Sequence, residues 1–157
     1  MEELEEAVQT MPNGKALGPD GFTIDFYKSC WNTIKDSLYD LVEESRLKKT
    51  IFPSLNSTFF ALIPKSERAD SPDQFRHIAL CNVIYNIISK ILANHLKPLL
   101  PLLIFANQTG YVEGRQIMDN IILSQEIIHT LKDQGKPGML IQLDMSKSFD
   151  KINWNYI

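Results

Sequence analysis

One short stretch near the end of the chain, residues 139–150, restricts the folds open to it. After the Gly/Pro-rich turn of residues 135–138 come five mostly apolar residues, which predict a buried strand. This strand ends at an acid, Asp144. A carboxylate at the end of an apolar strand is costly to desolvate unless a cation, a metal ion or backbone N–H groups pair with it. The fold must therefore supply a partner for Asp144.

Two interpretations of Asp144 fit the local pattern. In the first, Asp144 caps the turn after the strand and is solvated by Ser146 and Lys147, as is common for turn-forming aspartates. In the second, Asp144 is a ligand of Mg²⁺ at the edge of a nucleotide pocket, where substrate phosphates complete the coordination. Phe149, five residues further on, would then form a wall of the same pocket. The rest of the chain has to decide between them.

The charge distribution restricts where a nucleic acid could bind. The 157 residues carry a formal charge of −3 and are 44% hydrophobic, which suits one domain with its own core. Four glutamates stand within the first eight residues, and the remainder holds 16 basic and 15 acidic residues. A basic groove must therefore be local, if one exists.

Composition also sets expectations about the compartment. The two cysteines, Cys30 and Cys81, lack metal-site spacing and indicate a reduced chain without structural zinc. The acidic N-terminus does not resemble a signal peptide, and the apolar run near residues 99–106 is too short for a membrane span. We therefore expect an intracellular protein, nuclear or cytoplasmic if functional, with no membrane partner. The sequence does not set an oligomeric state.

Hydrophobic periodicity predicts a mostly helical chain with one β-hairpin. An acidic helix is expected over residues 1–11 and a long helix from Phe22 to about Leu47, and a further helix should begin after the N-cap Asn82. The last helix, from about Met118 to Lys132, should bury Ile121, Ile128 and Leu131. Strands over residues 57–63 and 74–80 should form the hairpin. The expected core face of the long helix comprises Phe22, Phe26, Cys30, Ile34, Leu38, Leu41 and Val42, widened by Tyr27 and Trp31.

Three loops carry candidate binding residues, each with two interpretations. Lys65 and Arg76 flank the hairpin tip, either as solvated charges or as two cations that converge on one polyphosphate. The turn-rich residues 12–21 form either a plain connection or a loop against a phosphate backbone. Gly114 and Arg115 lie in a polar loop that is either ordinary or a nucleic-acid contact.

The ordered set of motifs resembles a known family. The motifs are Gly18-Pro-Asp-Gly-Phe22, Ala61-Leu-Ile-Pro-Lys65, Phe75-Arg-His-Ile78, Leu80-Cys-Asn-Val-Ile-Tyr85, Ile88-Ser-Lys90, Asn107-Gln-Thr-Gly-Tyr-Val-Glu-Gly-Arg115 and Leu143-Asp-Met-Ser-Lys-Ser-Phe-Asp150. Together they resemble the reverse transcriptase of LINE-type (non-LTR) retrotransposons, with the plant members closest. The resemblance runs over nearly the whole chain, in the right order.

The resemblance implies a role for each candidate residue. Asp144 falls on the first catalytic aspartate, which ligates both Mg²⁺ ions, and Phe149 on the steric gate that excludes a 2′-OH. Lys65 and Arg76 fall on the cations that hold the incoming triphosphate. Gly114 and Arg115 fall near the template and the nascent pair. The implied reaction is nucleotidyl transfer from a dNTP to a DNA primer 3′-OH on an RNA template.

The implied fold is α+β, a partial right-hand polymerase. Residues 1–138 would form the fingers region, and residues 139–157 the start of the palm, with an incomplete palm sheet. The chain contains no Asp-Asp pair, which the family carries downstream of the first aspartate, so we expect no polymerisation by this chain alone. Smaller departures are Leu17, His77 and Ser148. The alternative is a non-catalytic relic, or a weak RNA- or DNA-binding module from a decayed retroelement.

Overall fold

The computed structural model describes residues 1–110, 112–141, 143, 153 and 155. These fall into two compact units, Met1–Leu103 and Ile104–Ile157. The helices are α1 (Glu2–Thr10), α2 (Ile24–Ser29), α3 (Trp31–Lys48), α4 (Val83–Leu96), α5 (Leu100–Leu103) and α6 (Ile117–Asp133), and the strands are β1 (Thr58–Pro64) and β2 (Phe75–Cys81). The expected combination of helices with one β-hairpin is confirmed, and about half of the chain is helical. Within the described ranges, no helix is both long and apolar enough to cross a membrane.

The core of the first unit lies between helices α1 to α4. Leu4 and Val8 are four residues apart on α1, so both point to the same side of the helix, where α1 packs on α4. The glutamates in the first turn of α1 favour the helix because they face its positive N-terminal end. The buried cluster consists of Leu4, Val8, Ile24, Tyr27, Trp31, Leu38, Val83 and Ile87.

The predicted long helix is wrong, because α2 and α3 are separate helices with Cys30 between them. Cys30 has φ −95° and ψ 12°, outside helical geometry, and Ser29 and Cys30 are both weak helix formers. The break turns α2 so that Tyr27 enters the core, where Trp31 joins it. Phe22 and Phe26, predicted as core, are instead 44% and 40% exposed.

The hairpin is formed as predicted. β1 and β2 pair antiparallel over seven residues, from Thr58 opposite Cys81 to Pro64 opposite Phe75. A 3₁₀ turn, Pro72–Gln74, leads the chain from the tip into β2. The two strands make the single sheet found among the described residues.

The second unit departs from two expectations. α6 is present, but the structure records no buried residue on it: Ile121 is 45% exposed and Ile128 36%. The strand predicted over residues 139–143 is absent from the described residues 139–141 and 143. A strand is stable only when a neighbour satisfies its backbone N–H and C=O groups, and apolar character alone does not supply that neighbour.

Because the phenol of Tyr27 is buried, the free energy of unfolding should decrease with pH in the alkaline range. Burial, with a smaller contribution from the negative charge of Asp20, raises the pKa of Tyr27 from 10.0 to about 12. Because the folded pKa lies above the unfolded one, this contribution is complete below pH 10 and is lost as pH rises towards 12. The wild-type chain should lose up to about 2–3 kcal/mol more than Tyr27→Phe across that window.

Denaturant unfolding at a series of pH values measures this difference. Tyr39→Phe, which removes a half-buried phenol packed against the same core, is the matched control. The control should follow the wild-type alkaline profile. If both variants reduced the alkaline loss of stability equally, the burial of Tyr27 would not be the cause of that loss.

Candidate functional site

The register of the hairpin places Lys65 and Arg76 on one face. Arg76 lies opposite Ile63 in the ladder. Lys65 follows Ile63 by two residues, and its N–H donates to the carbonyl oxygen of Gln74 at 2.8 Å, which continues the ladder one step beyond β1. Residues two apart on a strand share a face, so the register makes Lys65 and Arg76 diagonal neighbours, a relation in which residues are typically about 7–8 Å apart.

The side chain of Lys65 is bonded to the 3₁₀ turn that precedes β2. Its Nζ donates a hydrogen bond to the carbonyl oxygen of Asp73 at 2.8 Å. Lys65 and Arg76 are both exposed. A cation at such a position needs only to exchange one solvent-exposed carbonyl partner for a phosphate oxygen, and Arg76 can offer a forked contact beside it. Both cations are therefore accessible from solvent, and their use as a polyphosphate contact stays a prediction.

The hairpin tip is organised by Gln74. Its side-chain oxygen accepts from the N–H of Asp70 at 2.9 Å, and its own N–H donates to the carbonyl oxygen of Ser71 at 3.0 Å. The tip carries Glu67, Arg68, Asp70 and Asp73. With these charges the hairpin end, Lys65 and Arg76 included, is formally neutral, so it presents no net positive charge.

The loop that contains Gly114 and Arg115 is built around the guanidinium of Arg115. Nη1 donates to the carbonyl oxygens of Phe105 (2.6 Å) and Gln108 (2.8 Å), and Nη2 to that of Ile104 (3.1 Å). Gly114 has φ +80°, a left-handed conformation that side chains disfavour. Arg115 thus folds its own loop, and Gly114 allows the turn that brings it there.

A further polar residue, Asn120 of α6, fixes the same loop. Its Nδ2 donates to the carbonyl oxygen of Asn107 at 2.7 Å and to Oγ1 of Thr109 at 3.2 Å. Sequence reasoning overlooked Asn120 and Gln74. The pattern that could have indicated them is an Asn or Gln close to a loop whose backbone groups need hydrogen-bond partners. This pattern is too common in sequences to identify two particular positions.

Two of the predicted site residues, Asp144 and Phe149, lie outside the described residues. Their position relative to Lys65 and Arg76 therefore stays a prediction. Within the described part of the chain, no three His, Cys, Asp or Glu side chains come together as a possible metal site.

Comparison with known proteins identifies the class. Residues 63–157, more than half of the chain, match the family model described as reverse transcriptase (RNA-dependent DNA polymerase). The matched segment begins two residues before Lys65 and includes Lys65, Arg76, Gly114 and Arg115. The chain belongs to the reverse transcriptase family.

Two relatives of the chain are proteins of transposable elements. The whole chain is 29% identical to the "Transposon TX1 uncharacterized 149 kDa protein" of Xenopus laevis, of which it covers 12%. Over 96 residues, 61% of this chain, it is 27% identical to the "Retrovirus-related Pol polyprotein from type-1 retrotransposable element R2" of Popillia japonica, of which the match covers 13%. The predicted resemblance to LINE-type (non-LTR) elements is confirmed. The chain spans about an eighth of the length of these curated relatives.

The three carbonyl bonds of Arg115 generate a prediction about loop order. Arg115→Lys keeps the charge but cannot bond three carbonyls in a fork, and each bond to a charged donor contributes about 1.5–3 kcal/mol. Amide exchange in residues 104–108 should accelerate at least about tenfold in this variant. Hydrogen exchange followed by mass spectrometry of that segment is the measurement.

Arg68→Lys is the matched control for this experiment. Arg68 is exposed at the hairpin tip, and the structure records no side-chain partner for it among the described residues. The same substitution should leave exchange in residues 104–108 unchanged. Unaltered exchange in Arg115→Lys as well would show that the loop is ordered by something other than the guanidinium.

Proposed function

We propose that this chain supplies the nucleotide-holding hairpin and the first metal-binding aspartate of an RNA-directed DNA polymerase of a LINE-type retrotransposon. In that reaction the primer 3′-oxygen attacks the α-phosphorus of a dNTP on an RNA template. The new oxygen–phosphorus bond forms as the bond to pyrophosphate breaks, and the proton of the 3′-OH leaves. The attacking group belongs to the primer, so the protein needs no nucleophile of its own.

The observation that carries this proposal is the shared face of Lys65 and Arg76. Nucleotidyl transfer depends on positioned charges more than on reactive side chains. An exposed lysine and arginine on diagonal positions of a two-stranded ladder can contact neighbouring phosphates of one triphosphate. Their place on the hairpin agrees with the roles that the family resemblance implies.

The remaining roles rest on the family alone. Asp144 is proposed as the first ligand of Mg²⁺, which would supply charge stabilisation at the phosphates, and Phe149 as the gate against a 2′-OH. Gly114 and Arg115 are proposed to lie near the template and the nascent pair, with Arg115 acting through the loop it folds. Residues 1–138 are proposed as the fingers region and residues 139–157 as the beginning of the palm.

A preference for triphosphates tests the role of the hairpin. The wild-type chain should bind dTTP more tightly than dTMP, and Lys65→Gln/Arg76→Gln should lose at least about tenfold in dTTP affinity, since each charge-assisted contact contributes about 1.5–3 kcal/mol. Titration followed by NMR shifts of the hairpin amides measures both ligands. Lys35→Gln/Lys48→Gln on α3, which removes the same charge elsewhere, should retain the preference.

Filter binding of an RNA–DNA duplex separates the alternatives. Duplex affinity that falls steeply between about 50 and 200 mM salt, without any dTTP preference, would favour a non-catalytic nucleic-acid-binding module. The absence of binding to duplex and dTTP alike at low salt would favour an inert relic. A dTTP preference equal in the wild-type chain and the hairpin variant would contradict the role given to Lys65 and Arg76.

A further inference from the structure

The hairpin that carries Lys65 and Arg76 is anchored at the end opposite its tip. Large apolar side chains in the middle of the strands are exposed on both faces, as shown by Phe59 (58%), Phe60 (70%) and Leu62 (56%). Burial returns where β2 ends, because Cys81 is half-buried and is followed by Asn82, which is only 3% exposed. The direction of the tip therefore depends on how this base is held.

A buried amide links the end of β2 to the segment that precedes β1. Asn82 directly follows β2 and occupies the N-cap position of α4, as predicted, but its side chain makes no cap hydrogen bond to the helix. Nδ2 instead donates to the carbonyl oxygens of Ser54 (3.1 Å) and Leu55 (3.3 Å), in the segment that leads into β1. A single side chain thus joins the end of β2 to the chain just before β1.

The same amide also bonds the loop of residues 18–21. Oδ1 of Asn82 accepts from the N–H of Asp20 at 3.1 Å. This loop is closed on itself by two further bonds, from Gly21 N–H to the carbonyl oxygen of Gly18 (3.1 Å) and from Phe22 N–H to Oδ1 of Asp20 (3.2 Å). The loop is therefore a formed turn that is attached to the hairpin base.

Gly18 lets this turn approach the base closely. A Cβ at Gly18 would lie 2.6 Å from the carbonyl oxygen of Cys81 and 2.6 Å from the backbone nitrogen of Asn82. Both atoms belong to the backbone and cannot move aside as a flexible side chain would. Gly18 does not have a positive φ, so the requirement for glycine here is one of space. The backbone of the turn therefore packs directly against the backbone at the end of β2.

We propose that Asn82 and Gly18 are positioning residues for nucleotide binding, because they fix the angle at which the hairpin leaves the helical unit. This inference rests on the proposed role of Lys65 and Arg76. Arg76 lies six residues before Asn82, which is about 20 Å along an extended strand. A tilt of the hairpin by about 5° at its base therefore moves the cations by about 2 Å. Errors of about 1 Å in positioning a reacting group can cost a hundredfold in rate.

A distance measurement tests this proposal without requiring activity. Spin labels on ketone-bearing amino acids at Ser66 in the tip and Asn32 on α3 leave the native cysteines intact, and pulsed EPR gives their distance distribution in the 157-residue chain. Asn82→Ala should shift or broaden the distribution by about 2 Å, the displacement expected from a small tilt. Gly18→Ala should act in the same direction, although it removes no hydrogen-bonding side chain.

The control is a core variant that destabilises without touching the base. Ile87→Ala removes a fully buried side chain of α4, so it lowers the melting temperature while Asn82 and Gly18 remain. Its distance distribution should match that of the wild-type chain. An unchanged distribution in both Asn82→Ala and Gly18→Ala, or equal broadening in Ile87→Ala, would overturn the proposal. If Asn82→Ala does not fold, Asn82→Asp replaces it, since it keeps the acceptor for Asp20 N–H but lacks the donor to residues 54 and 55.

A second readout separates this inference from the proposed function. If the wild-type chain prefers dTTP over dTMP, Asn82→Ala should reduce dTTP affinity at least about tenfold, whereas Ile87→Ala should not. Loss of dTTP affinity by the same factor in both variants would count against positioning. If the wild-type chain shows no dTTP preference, the proposed function fails, and the distance distributions still decide whether Asn82 and Gly18 set the hairpin angle.

Discussion

A buried amide has to find partners for all its polar atoms, and at Asn82 this requirement brings three chain segments to one point. The donors and the acceptor of this side chain face the approach to β1 and the turn of residues 18–21, while its backbone links β2 to α4. Asn86 of α4 adds one bond at the same place, from its Nδ2 to the carbonyl oxygen of Cys81 at 3.4 Å, whereas the strands themselves expose apolar side chains on both faces. The position of the hairpin therefore depends on polar satisfaction more than on hydrophobic packing.

The hairpin and the core meet through the turn of residues 18–21. Asp20 donates its N–H to Asn82, and its charge also contributes to the raised pKa of Tyr27 in the core cluster. The loop motif that the sequence analysis left open between a plain connection and a phosphate contact thus has an internal role in the structure. It joins the helices that form the core to the strands that carry the candidate nucleotide contacts.

Elements with a clear hydrophobic period could be predicted from the sequence, and details set by three-dimensional packing could not. The helices α1, α4 and α6 and the hairpin follow directly from periodicity and turn residues. The break at Cys30 was not predictable, because an apolar spacing of three and four continues across it while packing of Tyr27 and Trp31 decides the rotation of α2. The strand near residue 140 was predicted from apolar character, which does not reveal whether a neighbouring strand exists.

The candidate site divides in the same way. From the sequence alone Lys65 and Arg76 were either solvated charges or a phosphate contact, and their shared face required the register, which depends on how many tip residues leave the ladder. For Arg115 the sequence indicated a cation in a loop, and the structure adds that the guanidinium bonds the loop itself. Asn82 was predicted as a helix cap because Asn is common there, yet its side chain bonds more distant segments.

The exposed edges of the two-stranded sheet affect how this protein behaves in concentrated solution. Among the described residues β1 and β2 pair with each other, so each strand keeps an outer edge of backbone groups, flanked by exposed phenylalanine and leucine side chains. Such edges can add strands from other molecules. Pro64 lacks an N–H and blunts β1 at one end, whereas the middle of the strand has no such protection. Concentrated preparations should therefore self-associate through intermolecular strand addition unless a fusion partner covers these edges.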